Sequence, residues 1–305
     1  MTLDPEFASF ARLIDSLSPW LDQVVIIGGW AHRLYRFHPA AQRLDYPSLS
    51  TLDTDVAVPA RIAVKEQDIH ERLIANGFRE EFLGNNRPPA THYHLGSEKS
   101  GFYAEFLTPL TGSAHTRTGR SNATVRIGGV SSQKLRHLEI LLNAPWNVEL
   151  SDSNGFPSGR AVRVQIASPV SFMAQKILIH QKRGQSERAK DILYIHDTLQ
   201  LFGARFPELR TEWLDCVKLQ LHGKNAAVVG RAPVWQREEF PLQRPFERHA
   251  SSDSRESCSE AIPRRFRSPK WHSVEREAIS AVAYCLGSDD EMGWMWLELV
   301  AKGNC

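Results

Sequence analysis

Apolar residues recur at helical spacing over the first twenty positions, where Phe7, Phe10, Ala11, Ile14 and Leu17 share one stripe. The spacing predicts an amphipathic helix that Pro19 helps to end. The run Val24-Val25-Ile26-Ile27 then has the length and β-branching of a buried strand. Gly28-Gly29 turns the chain into a short helix over Trp30 to Phe37. Residues 39–50 carry two prolines and small polar side chains, which suits a surface excursion. Thr51 to Val58, TLDTDVAV, reads as a second apolar strand that carries Asp53 and Asp55. Glu66 to Asn76 predicts a helix with Gly77 just past its end.

From Phe78 to Ile166 short alternating runs take over: THYHLG, GFYAEFL, ATVRIGG, WNVEL and RAVRVQIA, with turn residues between them. They predict further strands of the same sheet and an adjoining hairpin. Pro169 opens a long helical stretch, SFMAQKILIHQKRG. A second follows, whose apolar face is supplied by Ala189, Ile192, Leu193, Ile195, His196 and Leu199, with Lys190 and Asp191 beside it. Residues 222–273 are rich in Ser, Pro and Arg and lack aliphatic periodicity, which predicts a low-complexity basic linker. The tail to Cys305 reads as one or two short helices, with Trp294 and Trp296 needing cover. The fold class is therefore α/β or α+β. A sheet domain spans 1–166, a helical module 167–221, the linker 222–273 and a tail 274–305.

Composition narrows the class without naming the chemistry. A chain of 305 residues with 42% hydrophobic content has enough apolar material for a sizeable core. Its formal charge of +2 neither requires nor excludes nucleic acid. The four cysteines are scattered without a CxxC, the pattern of reduced thiols in a cytosol. The start, MTLDPEF, lacks the basic and apolar regions of a secretory signal, and no stretch approaches the ~18 apolar residues of a spanning helix. The expectation is a cytoplasmic protein with no membrane partner.

The chemistry concentrates in a few acids. Residues i and i+2 of a strand point to the same face, so Asp53 and Asp55 stand side by side. Two such carboxylates repel unless a cation lies between them, and Mg2+ with its oxygen ligands is the usual one, often holding substrate phosphates as well. The glycine turn lets backbone N–H groups approach phosphate oxygens. Glu105 stands alone among Phe, Tyr and Leu in GFYAEFLTPL, a costly place for an acid unless it is paired or metal-bound; otherwise it is an edge-strand glutamate facing water. His92 and His94 share a strand face as zinc ligands would, but no third ligand stands at a recognisable spacing. No Walker-type phosphate loop or nucleophile elbow is present. Arg87, Lys176, Lys182 and Arg183 are available to neutralise triphosphate, or sit near helix ends for ordinary reasons.

The order Gly-Gly, Asp-x-Asp and a later strand acid resembles the DNA polymerase beta-type nucleotidyltransferase superfamily. VVIIGGWA, TLDTDVAV and AEFLTP are similar to the minimal bacterial members, which include abortive-infection and toxin-like enzymes and aminoglycoside-modifying ones. The resemblance covers residues 20–200 or so. It implies a nucleotidyltransferase-like mixed sheet with flanking helices, ATP or another NTP as donor, and two Mg2+ ions, replaceable by Mn2+, on Asp53, Asp55 and Glu105. It also implies triphosphate at Gly28 and Gly29, with Lys176 and Asp191 serving the site from later helices; the alternative for those two is a solvated helix face. Two features depart from the family pattern. The second glycine is more often serine, and residues between Gly29 and Asp53 are more numerous, which leaves 39–50 as a lid or acceptor loop.

The expected reaction is transfer of a nucleoside monophosphate from NTP to an acceptor hydroxyl with release of pyrophosphate. The acceptor is tRNA or another RNA, a small molecule or a protein side chain, and toxin-like relatives imply an antitoxin partner. The rival is a non-catalytic nucleotide-binding or antitoxin-associated scaffold. Arg248, Arg255, Arg264, Arg265, Arg267 and Lys270 form either an RNA-binding arm or part of the linker.

Overall fold

The structure is a computed structural model and describes residues 5–96, 101–115, 122–157 and 159–231. The chain runs α1 (Pro5–Ser16), β1 (Val25–Ile27), α2 (Gly28–Leu34), β2 (Asp53–Ala57), α3 (Ile69–Ala75), β3 (Phe78–Leu83) and β4 (Ala90–Leu95). It continues through β5 (Tyr103–Pro109), β6 (Thr124–Ile127), β7 (Val130–Leu135), α4 (Glu139–Leu142), β8 (Trp146–Leu150) and β9 (Val162–Ile166). The helices α5 (Pro169–Ile179), α6 (Gln185–Phe202), α7 (Phe206–Glu212), α8 (Lys218–Gln220) and α9 (Gly223–Gly230) follow.

Among the described residues nine strands make one mixed sheet in the order β3-β4-β5-β2-β1-β9-β8, with β7 beside the far half of β5 and β6 outside it. β1 runs antiparallel to β2, while β2 and β5 are parallel neighbours. This places the end of β1, the aspartate strand and the glutamate strand together at the centre. Strand alternation divides the two faces there: Thr54, Val56, Ala104, Phe106 and Tyr93 are fully buried, whereas Asp53, Asp55, Tyr103, Glu105 and His92 are not.

Several elements form for local reasons. α1 buries Phe10, Leu13, Ile14 and Leu17, and Phe10 stacks on Trp30 of α2 with ring centroids 4.1 Å apart. α3 starts at Ile69 because Asp68 accepts from the Glu71 N–H while the Glu71 side chain accepts from the Asp68 N–H. Gly77, at φ +84°, ends it. Ser168 caps α5 ahead of Pro169.

Other elements depart from the expectation. β3 and β7, FREEFL and VSSQKL, lack apolar alternation; β7 buries Val130, Ser131 and Ser132, small enough to pack without that pattern. The face of α6 is only partly the apolar stripe expected: Ile192, His196 and Leu199 are buried, but Ala189 is exposed, Leu193 and Ile195 are half-buried, and Asp191 and Asp197 are buried as well. It buries charge because charged partners meet it. Residues 223–230, expected in the linker, form α9 and bury Val229 against the core. The arginine-rich stretch Arg248 to Lys270 and the tail 274–305 lie outside the described residues. No helix among the described residues is long and apolar enough to cross a membrane.

Asp197 knots α6 to α2. His32 Nε2 lies 2.9 Å from its Oδ2, and Arg36 Nη2 is 3.4 Å from both its oxygens. Burial would raise the Asp197 carboxyl, but His32, Tyr46 and Arg36 hold it below the usual range. Arg36 also donates to the Tyr46 carbonyl, and the Gln42 N–H donates to Leu201. Residues 39–50 are thus fastened to α2 and α6. Asp197→Ala strands Arg36 and His32 without their shared acceptor, and should cost about 3 kcal/mol in chemical denaturation.

Candidate active site

Strand register gathers the acids. Asp53 pairs with Tyr103 and Asp55 with Glu105 across β2 and β5, and His92 of β4 pairs with Glu105 from the other side. Asp53, Asp55 and Glu105 therefore stand on the partly exposed face of adjacent central strands. The Thr51 hydroxyl donates to Asp53 Oδ1. Gln133 Nε2 donates to Glu105 Oε2 at 3.1 Å, and His92 Nε2 lies 3.3 Å from the same oxygen. The His92 ring is itself fixed by stacking on Tyr103, 4.4 Å between centroids.

The electrostatics follow from this crowding. Neighbouring strands lie about 4.8 Å apart, and at that separation two carboxylates repel by roughly 3.5 kcal/mol at an effective dielectric of about 20. That is enough to keep a proton on one of them. Burial pushes the Asp55 carboxyl well above the usual range, reinforced by its hydrogen bond to Glu105 and by the charges of Glu105 and Asp53. Burial alone would raise Glu105 too, but its hydrogen bonds from His92 and Asp55 hold it below the usual range. The Tyr103 hydroxyl is pushed up to about 12 by burial and by the acids around it.

The two glycines of the turn have a role the sequence alone did not disclose. A Cβ on Gly28 would stand 2.0 Å from Asp55 Oδ2, and Gly28 has φ +63°. A Cβ on Gly29 would stand 2.6 Å from Thr51 Cγ2 and 2.8 Å from the Tyr194 hydroxyl. Missing side chains let Asp55 close over the turn on one side, and Thr51 and Tyr194 on the other. Gly28→Ala combines a left-handed backbone with a collision against Asp55. We expect a loss of about 2 kcal/mol or more in thermal or urea melts, together with loss of whatever activity depends on the Asp55 position.

Lys176 and Asp191 are not on a solvated helix face. Both are buried, Lys176 Nζ donates to Asp191 Oδ1 at 2.6 Å, and Arg183 Nε lies 3.4 Å from Asp191 Oδ2. Burial lowers the Lys176 amine, while Asp191 and, more weakly, Asp55 oppose that shift. Arg87 and Lys182 are exposed.

Three carboxylates suit a hard divalent cation, since each offers only oxygen donors and their mutual repulsion is what a cation relieves. Among the described residues no three His, Cys, Asp or Glu side chains are placed so as to hold a metal ion as they stand. The acids form a strand-borne row in which Asp55 and Glu105 are direct partners across β2 and β5. His94 does not join His92 in a zinc site, because its Nε2 lies 2.7 Å from Glu81 Oε2 while His92 serves Glu105. Sequence reasoning missed Thr51, His92 as a partner of Glu105, Gln133 and Tyr194. Their proximity is set by register and by long-range packing, and no local signal carries it.

The family model for nucleotidyltransferases matches residues 6–218, and the chain belongs to that family of transferases. Among solved structures, it is similar to the crystal structure of an antigenic nucleotidyltransferase-like protein from Paracoccidioides brasiliensis. The identity is 15% over 74% of this chain and 93% of that chain, with a TM-score of 0.34. The chain matches no curated protein.

Proposed function

We propose that this nucleotidyltransferase moves a nucleoside monophosphate from a magnesium-bound NTP to an acceptor hydroxyl and releases pyrophosphate. The observation that carries the reading is the juxtaposition of Asp53, Asp55 and Glu105 on one sheet face, with Gly28 directly beneath Asp55. Asp53 and Asp55 would hold the Mg2+, with Glu105 completing one position. Bound there, Mg2+ would neutralise phosphate charge and acidify the attacking hydroxyl.

The side chains divide the remaining work. Asp55, once ionised, would present its carboxylate to the cation that neutralises the phosphates. Glu105 is held toward its ionised form by hydrogen bonds from His92 and Asp55, against the effect of burial, and Gln133 also donates to Oε2. A carboxylate held below its usual range is a better ligand and electrostatic anchor than a strong base, since efficient general bases titrate near the working pH. Thr51 fixes Asp53 in its rotamer. Lys176, buried but bonded to Asp191, supplies positive charge behind the acids. Pyrophosphate leaves from the side of the Gly28-Gly29 turn.

The acceptor class is decided by offering each α-labelled NTP with Mg2+ to total RNA, to small-molecule extracts including aminoglycosides, and to protein. Label on one fraction identifies the acceptor. Tight Mg-NTP binding by calorimetry with no label on any fraction would instead support a nucleotide-binding scaffold.

A further inference from the structure

We propose that the Tyr194 hydroxyl is a hydrogen-bond donor to the phosphate chain of the nucleotide, reaching from α6 to the Gly28-Gly29 turn. The inference rests on the nucleotide-transfer reading above and adds a contact to it. Tyr194 is 2% exposed, and its hydroxyl has no hydrogen-bond partner among the described residues. A buried hydroxyl left unbonded costs about 1–3 kcal/mol, so a side chain that serves only packing gains nothing over phenylalanine here. The packing is fully met by the ring. It sits edge-on to His32 at 4.8 Å and to Phe172 at 5.8 Å, with Lys176 Nζ 5.1 Å from its centroid.

The hydroxyl points to the turn. It occupies the space a Gly29 side chain would take, 2.8 Å from the ideal Cβ position, with Thr51 on the other flank. Gly29 does not adopt a left-handed φ, so the backbone does not demand glycine there; the space claimed by Thr51 and Tyr194 does. The turn offers backbone N–H groups but no side-chain donor of its own, and Tyr194 brings one to it. Burial and the charges of Asp53, Asp55 and Asp191 keep the phenol protonated, hence a donor and not an acceptor. A phosphate oxygen, held beside the same acids by their cation, is the acceptor whose chemistry fits an O–H aimed into an acidic site.

The test is Tyr194→Phe in the full chain, which removes the oxygen and keeps the ring. Calorimetric titration would use each of the four Mg-NTPs and the matching nucleoside monophosphates. For the NTP that wild type binds tightest, the variant should bind about ten- to a hundredfold more weakly, the scale of a hydrogen bond to a charged group. Affinity for the monophosphate should change less, and the melting temperature of the free protein should hold or rise. Equal NTP affinity in wild type and variant would overturn the role of Tyr194 while leaving the nucleotide site intact. A lowered melting temperature with unchanged NTP preference over monophosphate would make Tyr194 a packing residue. Failure of wild type to bind any Mg-NTP would overturn the underlying reading, and this contact with it.

Discussion

Replacing Asp55 with asparagine is expected to abolish nucleotidyl transfer while stabilising the metal-free protein. Asparagine keeps the shape of the side chain but cannot carry charge to a cation. Its neutrality also ends the repulsion with Glu105, its direct partner across β2 and β5, and with Asp53. The pH dependence follows in sign. The folded state raises the Asp55 carboxyl above its ordinary value of 3.8. Its contribution to stability is therefore complete below that value and is lost progressively as pH climbs toward the raised one. Wild type bears this loss at neutral pH and the variant does not. The melting temperature of Asp55→Asn should exceed that of wild type by an amount that widens above pH ~4, about 2–4 °C for each kcal/mol relieved. Added Mg2+ should close the gap by stabilising wild type alone. A variant with full activity, or one whose melting curve tracks wild type at every pH, would remove Asp55 from the site.

Glu105→Gln is expected to lower the turnover number by about a hundredfold or more, with a smaller effect on nucleotide affinity. Glutamine preserves the shape and still accepts from Gln133 and His92, so folding should survive. What disappears is the charge that those two groups hold in place at Oε2. An edge-strand glutamate that merely faced water would lose nothing measurable. A fall of less than a few-fold in steady-state turnover would make Glu105 a structural partner of His92 and Gln133 on a central strand and leave Asp53 and Asp55 as a two-acid site.

The acids were legible in the sequence because their signals are local. Strand alternation alone puts Asp53 and Asp55 on one face, and an acid among Phe, Tyr and Leu stands out as costly unless it is partnered. The helices α1, α3 and α5 were legible for the same reason, through stripes and caps written within a few residues. The buried charge of α6 was not. Asp191 and Asp197 look like solvated positions until Lys176, Arg183, His32 and Arg36 arrive from other elements to pair with them. β3 and β7 carry polar sequences whose strand character comes from their neighbours in the sheet. The glycines were noticed for the phosphate they admit, yet their closest neighbours are Asp55, Thr51 and Tyr194, which only the folded chain brings there. The stretch 39–50, expected as a lid or acceptor loop, is tied down through the Tyr46 carbonyl and the Gln42 N–H.

The most direct test of the central claim is transfer of label from α-labelled and γ-labelled NTPs, compared between wild type and Asp55→Asn in the same acceptor mixture. A nucleotidyl transfer run by Asp53, Asp55 and Glu105 predicts that wild type places α-label on acceptor, sends γ-label into pyrophosphate, and that the variant does neither. Label reaching acceptor from the γ-position, or α-label transferred equally by Asp55→Asn, would contradict it.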